Sequence, residues 1–250
     1  MDKSEKDRPE RIAKVLARAG VCSRREAERL IAAGRVKVGG KVLEGPAFNV
    51  NPADDIRVDG KSIPRAETTR LFLHYKPAGL VTTSHDEKGR PTVFESLPKG
   101  LPRLISVGRL DMNTEGLLLL TNDGELARYL ELPATGWRRR YRVRVHGKAK
   151  PEKLDALKEG ITIEGFRYGP IEAVIDKQQG TNTWLMLTLR EGKNREVRKV
   201  MEALDLSVTR LIRIAYGPFQ LGKMPERAVE EVPQKILKEQ IPGFFSKIKS

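Results

Sequence analysis

Apolar positions along the chain change rhythm several times. Ile12, Val15, Leu16 and Ala19 recur at helical spacing and stop at Gly20, a natural residue just past a helix end. Ser23 and Glu26 form a Ser-x-x-Glu box that predicts a second helix carrying Ala27, Leu30 and Ile31 and ending at Gly34. Short extended runs follow at 36–38 and 42–43 around Gly39-Gly40, and at 56–58 and Ile63 around Asp59-Gly60, which predict two hairpins. About 55 residues of this kind make a small domain at 8–62, near the lower limit of independent stability. Periodicity is lost over 63–69, where Pro64 interrupts a polar stretch, and a linker is expected.

A larger domain is expected over 70–234. It opens with a strand at 71–76 broken by Pro77 and Gly79, continues through a loop containing 89–94, and reaches an apolar run at 104–107. Four consecutive leucines, 117–120, closed by Asn122-Asp123-Gly124, predict a strand buried on both faces. Helices are expected at 125–130 and 151–158, and strands at 138–144, 161–163, 171–175, 183–189 and 208–215. Val197, Val200, Met201 and Leu204 give one helical stripe with Arg198 beside it near the helix start. Residues 235–250 read as a basic tail, either a frayed end or an extra contact for a partner.

Between the two apolar runs of the larger domain lies a polar loop with one central carboxylate, Asp111. Three readings compete for it. Asp111 could cap a turn by accepting backbone N–H groups. Asp111, Asn113, Glu115 and Gly116 match the opening of a calcium loop, but Asn122 stands where the bidentate Glu belongs and leucines fill positions seven to ten. The third reading takes the segment 108–124 as a whole, as given below.

Composition narrows the partners. Lys+Arg number 47 against 33 Asp+Glu, a net charge of +14, and a field of that sign favours a polyanion. No apolar run approaches the ~18 residues of a spanning helix, and the first ten residues are too charged for a signal peptide, so nucleic acid is favoured over membrane. A single cysteine, Cys22, permits no internal disulfide and suits a reducing cytoplasm. Three scattered histidines offer no ligand spacing, and no metal is expected.

The run Gly-Arg-Leu-Asp-x-x-Thr-x-Gly-Leu-Leu-Leu-Leu-Thr-x-Asp-Gly over 108–124 resembles the active-site motif of the RsuA/RluB family of ribosomal RNA pseudouridine synthases, and Lys-Pro-x-Gly at 76–79 occurs at the corresponding place. Ala-Gly-Val-Cys-Ser-Arg-Arg-Glu-Ala-Glu-Arg-Leu-Ile at 19–31, followed by Gly-x-Val-x-Val-x-Gly, resembles the S4-type RNA-binding domain. The resemblance spans about 11–232. It implies an α+β chain, with a small N-terminal S4-type α/β RNA-binding domain and a larger catalytic domain on a mixed or antiparallel sheet. Details at 89–94 and 122–127 look more like the RluB branch, which acts on 23S rRNA, than the small-subunit branch. Two positions depart from the commoner pattern: Arg140 before the Tyr, and Glu196 where Gln is usual.

Residue by residue, the resemblance makes Asp111 the nucleophile, Tyr141 the ring against the uracil, and Arg198 the cation that holds Asp111 ionised against desolvation. Leu211 would pack under the base, and Thr114 and Arg109 would contact substrate, Arg109 filling the place left by a flipped nucleotide. Arg24, Arg25, Arg29, Arg35 and Lys37, with Arg140 and Arg142, are the expected phosphate contacts, because backbone charge density calls for clustered cations. Each has a plainer reading. The helix arginines could pair with Glu26 and Glu28, Tyr141 could be core, and Lys193, Arg195 and Lys199 read as surface cations. Isomerising uridine needs no redox step or group donor, so no cofactor is expected, and a cytoplasmic monomer acting on ribosomal RNA or its precursor particle is anticipated. The rivals are a non-catalytic ribosome assembly factor and a glycosidase using Asp111 with Glu115. The second suits a strongly basic surface poorly.

Overall fold

A computed structural model describes residues 9–247. The polar leader and the last three residues lie outside the described part.

In the first domain the helices Ile12–Arg18 and Arg24–Ala32 form as their apolar spacing predicts, and the Ser23 hydroxyl accepts from the Glu26 N–H at 3.1 Å. Ile12, Leu16, Ala27 and Ile31 bury against Val36, Val50 and Ile56. Both glycine turns make hairpins, giving a four-stranded antiparallel sheet in the order Lys41–Val42, Val36–Val38, Ile56–Val58, Lys61–Ser62.

The second domain is a nine-stranded sheet whose main path runs Ile171–Gln179, Asn182–Leu189, Arg139–His146, Ser207–Tyr216, Glu115–Thr121, Leu71–Lys76, Val229–Glu231. Neighbours are antiparallel except Ser207–Tyr216 beside Glu115–Thr121, which are parallel. The four leucines explain their own run. Leu118 and Leu120 join the core on one face, and Leu117 and Leu119 the core on the other. The helix Glu196–Ala203 covers the first face with Val197, Val200 and Met201, and Gly124–Glu131 covers the second with Leu126 and Leu130.

At the parallel pairing the two backbones come unusually close. A Cβ on Gly116, whose φ is +98°, would lie 2.3 Å from the Arg213 carbonyl oxygen, so only glycine fits.

The segment read as a tail is built into this domain. Gln234–Gln240 and Pro242–Lys247 are helices, and Leu237, Ile241 and Phe244 enter the second core against Tyr129 and Leu130. The linker carries no helix or strand over 63–70, yet its end is pinned. Thr69 Oγ1 donates to Asp123 at 2.5 Å, and Asn122 Nδ2 donates to the Thr68 carbonyl at 2.9 Å. The same turn receives the first domain, through Arg18 at 3.3 Å from the Asp123 carboxylate and through a contact between Lys14 and Glu125.

Candidate active site

The loop carrying Asp111 is shaped by bonds to its backbone. Thr114 N–H donates to the Asp111 carbonyl at 3.0 Å and closes a turn, and Gly79 N–H donates to the Met112 carbonyl at 2.8 Å. Thr82 Oγ1 donates to the Leu110 carbonyl at 2.8 Å. Beneath the loop lies Lys76, fully buried at the end of its strand, with Nζ donating to the carbonyls of Pro77, Met112 and Thr114 at 2.8, 3.1 and 2.9 Å. Burial pushes the Lys76 ammonium down to about 8, against the negative charges of Asp111 and Glu115, which favour it.

Asp111, Arg109, Thr114, Tyr141 and Leu211 all line one cavity of about 1120 Å³. Residues of the segment 81–90 also line it, and there Arg90 pairs with Asp86 at 2.6 Å and holds the Asp86 carboxyl well below the usual carboxylate range. The Asp111 side chain is 33% exposed and the Thr114 hydroxyl is buried without a partner. Tyr141 is buried, as the alternation of the Arg139–His146 strand requires, with Val143 and Val145 on the same face.

The cations are arranged differently from the expectation. Among the described residues the group within ion-pair distance of Asp111 is Arg195, at 3.8 Å and with its side chain 51% exposed, not Arg198. Arg198 instead holds backbone, donating to the Asn113 carbonyl at 2.9 Å and the Val208 carbonyl at 3.4 Å, while its buried Nε has no partner. Burial and the nearby Arg195 push the Arg198 pKa down, and the charge of Asp111 opposes them. Arg195 stands just before the helix in a left-handed conformation, φ +50°, outside the helical series that carries Arg198.

Other expected contacts lie away from the cavity. Arg140 donates to Gln220 at 2.6 Å, and Arg142 pairs with Asp176 at 2.9 Å while stacking 4.5 Å over Trp184, both on the reverse face of their strand. Arg24, Arg25, Arg29, Arg35 and Lys37 are exposed on the first domain. Arg29 is 3.3 Å from Glu26, and Arg35 is held by both oxygens of Asp59. Lys76, Thr82 and Arg213 were not singled out from sequence, and Arg195 was read as a surface cation. Lys76 alone carried a signal, a lysine closing an apolar strand within Lys-Pro-x-Gly. Among the described residues no cluster of three or more His, Cys, Asp or Glu could hold a metal ion, and no helix is long and apolar enough to cross a membrane.

Comparison with known proteins bears on what such a cavity is for. Residues 70–203 match the family described as RNA pseudouridylate synthase, and residues 10–56 match the S4 domain. An uncharacterized RNA pseudouridine synthase of Rickettsia felis is 46% identical over 230 residues, covering 92% of this chain and 100% of its own. The ribosomal large subunit pseudouridine synthase B of Escherichia coli strain K12 is 47% identical over 220 residues, covering 86% of this chain and 76% of its own. A crystal structure of a pseudouridylate synthase superposes with a TM-score of 0.65 at 26% identity, covering 92% of this chain and 99% of that one. With a family match over more than half its length, and relatives this similar along nearly all of it, the chain belongs to the RNA pseudouridine synthases, and carries an S4 domain ahead of the catalytic one.

Proposed function

We propose that the chain converts a specific uridine of 23S ribosomal RNA into pseudouridine, with Asp111 as nucleophile on a nucleotide turned out of its helix. The likeness to the large-subunit enzyme supports the choice of RNA. What carries the chemistry is the setting of Asp111, an acid in a cavity with Tyr141 and Leu211, on a loop fixed through its backbone.

In the reaction the N1–C1′ bond breaks, the uracil turns, and C5 bonds to C1′; the proton on C5 leaves and N1 takes one up. A carboxylate can trap electron-poor C1′ or stabilise it, as in glycoside hydrolysis. Tyr141 and Leu211 offer the uracil an aromatic ring and an aliphatic side chain. Arg195 supplies positive charge 3.8 Å from Asp111, and Arg198 fixes the loop through Asn113. Turning the nucleotide out costs roughly a few kcal/mol. Arg109, exposed and lining the cavity two residues before Asp111, would fill the gap. The exposed cations of the S4 domain give the RNA backbone a second hold.

The test is to map pseudouridines in ribosomal RNA from cells carrying the wild-type chain, Asp111→Asn or Arg109→Ala. Loss of one large-subunit pseudouridine with Asp111→Asn, and slower formation with Arg109→Ala, is expected. An unchanged map with Asp111→Asn overturns the reading, and a wild-type rate with Arg109→Ala removes Arg109 from it.

A further inference from the structure

One wall of the cavity contains a guanidinium with spare hydrogen-bonding capacity. Arg213 is 3% exposed, and its Nε donates to the Leu117 carbonyl at 2.7 Å. Among the described residues that is its one side-chain hydrogen bond, and Nη2 is shielded from solvent with no partner. Arginine carries five N–H donors and no acceptor, and buried donors are nearly always paired. An orphan at this depth calls for an explanation.

Its surroundings restrict what could complete it. Arg213 stands across from Tyr141 in the strand pairing, and both line the cavity with Leu211. The guanidinium lies 5.1 Å from the Tyr216 ring centroid, which keeps its plane fixed. Its backbone cannot retreat, because Gly116 is packed against it. Arg139, which stacks on the same Tyr216 ring, is already committed to the Tyr216 hydroxyl and the Arg190 carbonyl. A phosphate would stay with the RNA backbone at the mouth, where Arg109 and Arg90 are exposed. The deep position between an aromatic ring and a leucine suits the flat base.

We infer that Arg213 donates a hydrogen bond to a carbonyl oxygen of the target uracil and so reads the base. The inference rests on the uracil lying against Tyr141, as proposed above. A donor-only group accepts either uracil oxygen but opposes the amino group of cytosine, so a bond at C4 would also enforce the choice of uridine. Through Nε and Leu117 the same side chain ties the base to the strand that follows Asp111.

The experiment compares wild type with Arg213→Gln on a ribosomal RNA transcript whose target uridine is unmodified, 2-thio-substituted or 4-thio-substituted. Single-turnover rate, RNA affinity and thermal melting are read for each protein. Arg213→Gln is expected to lower the single-turnover rate roughly 10- to 100-fold while RNA affinity is retained. Sulfur at one of the two positions should slow the wild type but slow the variant no further. A folded variant with the wild-type rate, or with the same sulfur penalty as wild type, overturns the inference. If the variant does not fold, wild-type tolerance of sulfur at both positions overturns it on its own. A wild type that makes no pseudouridine in any ribosomal RNA is a different result, which removes the proposed function as well.

Discussion

Gly116→Ala is the sharpest test of how the site is supported. The added Cβ would lie 2.3 Å from the Arg213 carbonyl oxygen and 2.9 Å from its nitrogen, where ordinary contact begins near 3.4 Å. The obstacle is backbone on a central strand, so the two parallel strands must separate by about 1 Å, judged against normal packing distances. A positive φ costs an L-residue roughly 1–2 kcal/mol. Loosening the ladder that joins Ile212 to Glu115 and Arg213 to Gly116 forfeits one or two hydrogen bonds, at about 1 kcal/mol each. With lost packing around Leu117 and Ile212 the expected destabilisation is roughly 3–5 kcal/mol, a large share of a typical domain's stability. For a chain of this size that lowers Tm by roughly 6–20 °C.

Thermal unfolding followed by circular dichroism measures it, with Gly124→Ala as the control. Gly124 sits at the start of a helix, its nearest neighbours to an added Cβ are 3.8 Å away, and alanine there should be neutral or slightly stabilising. A Gly116→Ala protein melting within about 2 °C of wild type would refute the close-approach argument, since that is a change of only ~1 kcal/mol.

Three further outcomes follow from the same geometry. Above pH 8 the Lys76 ammonium loses its proton in the folded state while the unfolded chain holds it to about 10.5, so stability relative to Lys76→Met should rise with pH between those values. Over the same window the loop loses its charged donor and modification should slow; a wild-type rate flat from pH 7 to 9.5 would contradict this. Arg198→Ala should cut the single-turnover rate more than Arg195→Ala, whose long, half-exposed contact is worth about 1 kcal/mol or less; the opposite ranking would make Arg195 the essential cation. Leu237→Ala, at a fully buried position, should cost roughly 2–4 kcal/mol in chemical denaturation, and a change below ~0.5 kcal/mol would mean the C-terminal helices do not contribute to the core.

Much of the fold was legible because its cause is periodic. Leu117, Leu118, Leu119 and Leu120 read as a strand buried on both faces and are one, and the Gly39-Gly40 and Asp59-Gly60 turns make their hairpins. The arginine strand alternates as read, with Tyr141 inward. Asp111, Arg109, Thr114, Tyr141 and Leu211, chosen from three separated segments, meet at one cavity. Periodicity fails where the backbone leaves it or where partners come from far away. Arg195 was read as a surface cation, and is half exposed, but its left-handed conformation breaks the helical series at that residue and periodicity gave no sign of its nearness to Asp111. Lys76 sits in a run that reads as strand, but two of its acceptors lie 36 and 38 positions along the chain. The tail was misread because Leu237, Ile241 and Phe244 are too few, in helices too short, to stand out against flanking lysines.

The distribution of charge around Asp111 has its own logic. A nucleophile clamped by a bidentate arginine would have to break that bond to react, and strong charge-assisted bonds are costly to break. Here the buried Lys76 and the partly buried Arg198 spend their donors on carbonyls: Lys76 on Met112 and Thr114, Arg198 on Asn113. The loop is thereby fixed to either side of Asp111. Among the described residues the carboxylate has one ion-pair neighbour, a half-exposed guanidinium at 3.8 Å, a contact loose enough for the role proposed for Asp111. Under the proposed function, a rigid backbone with a free side chain is the combination Asp111 needs, and it follows from where Lys76 and Arg198 put their N–H groups.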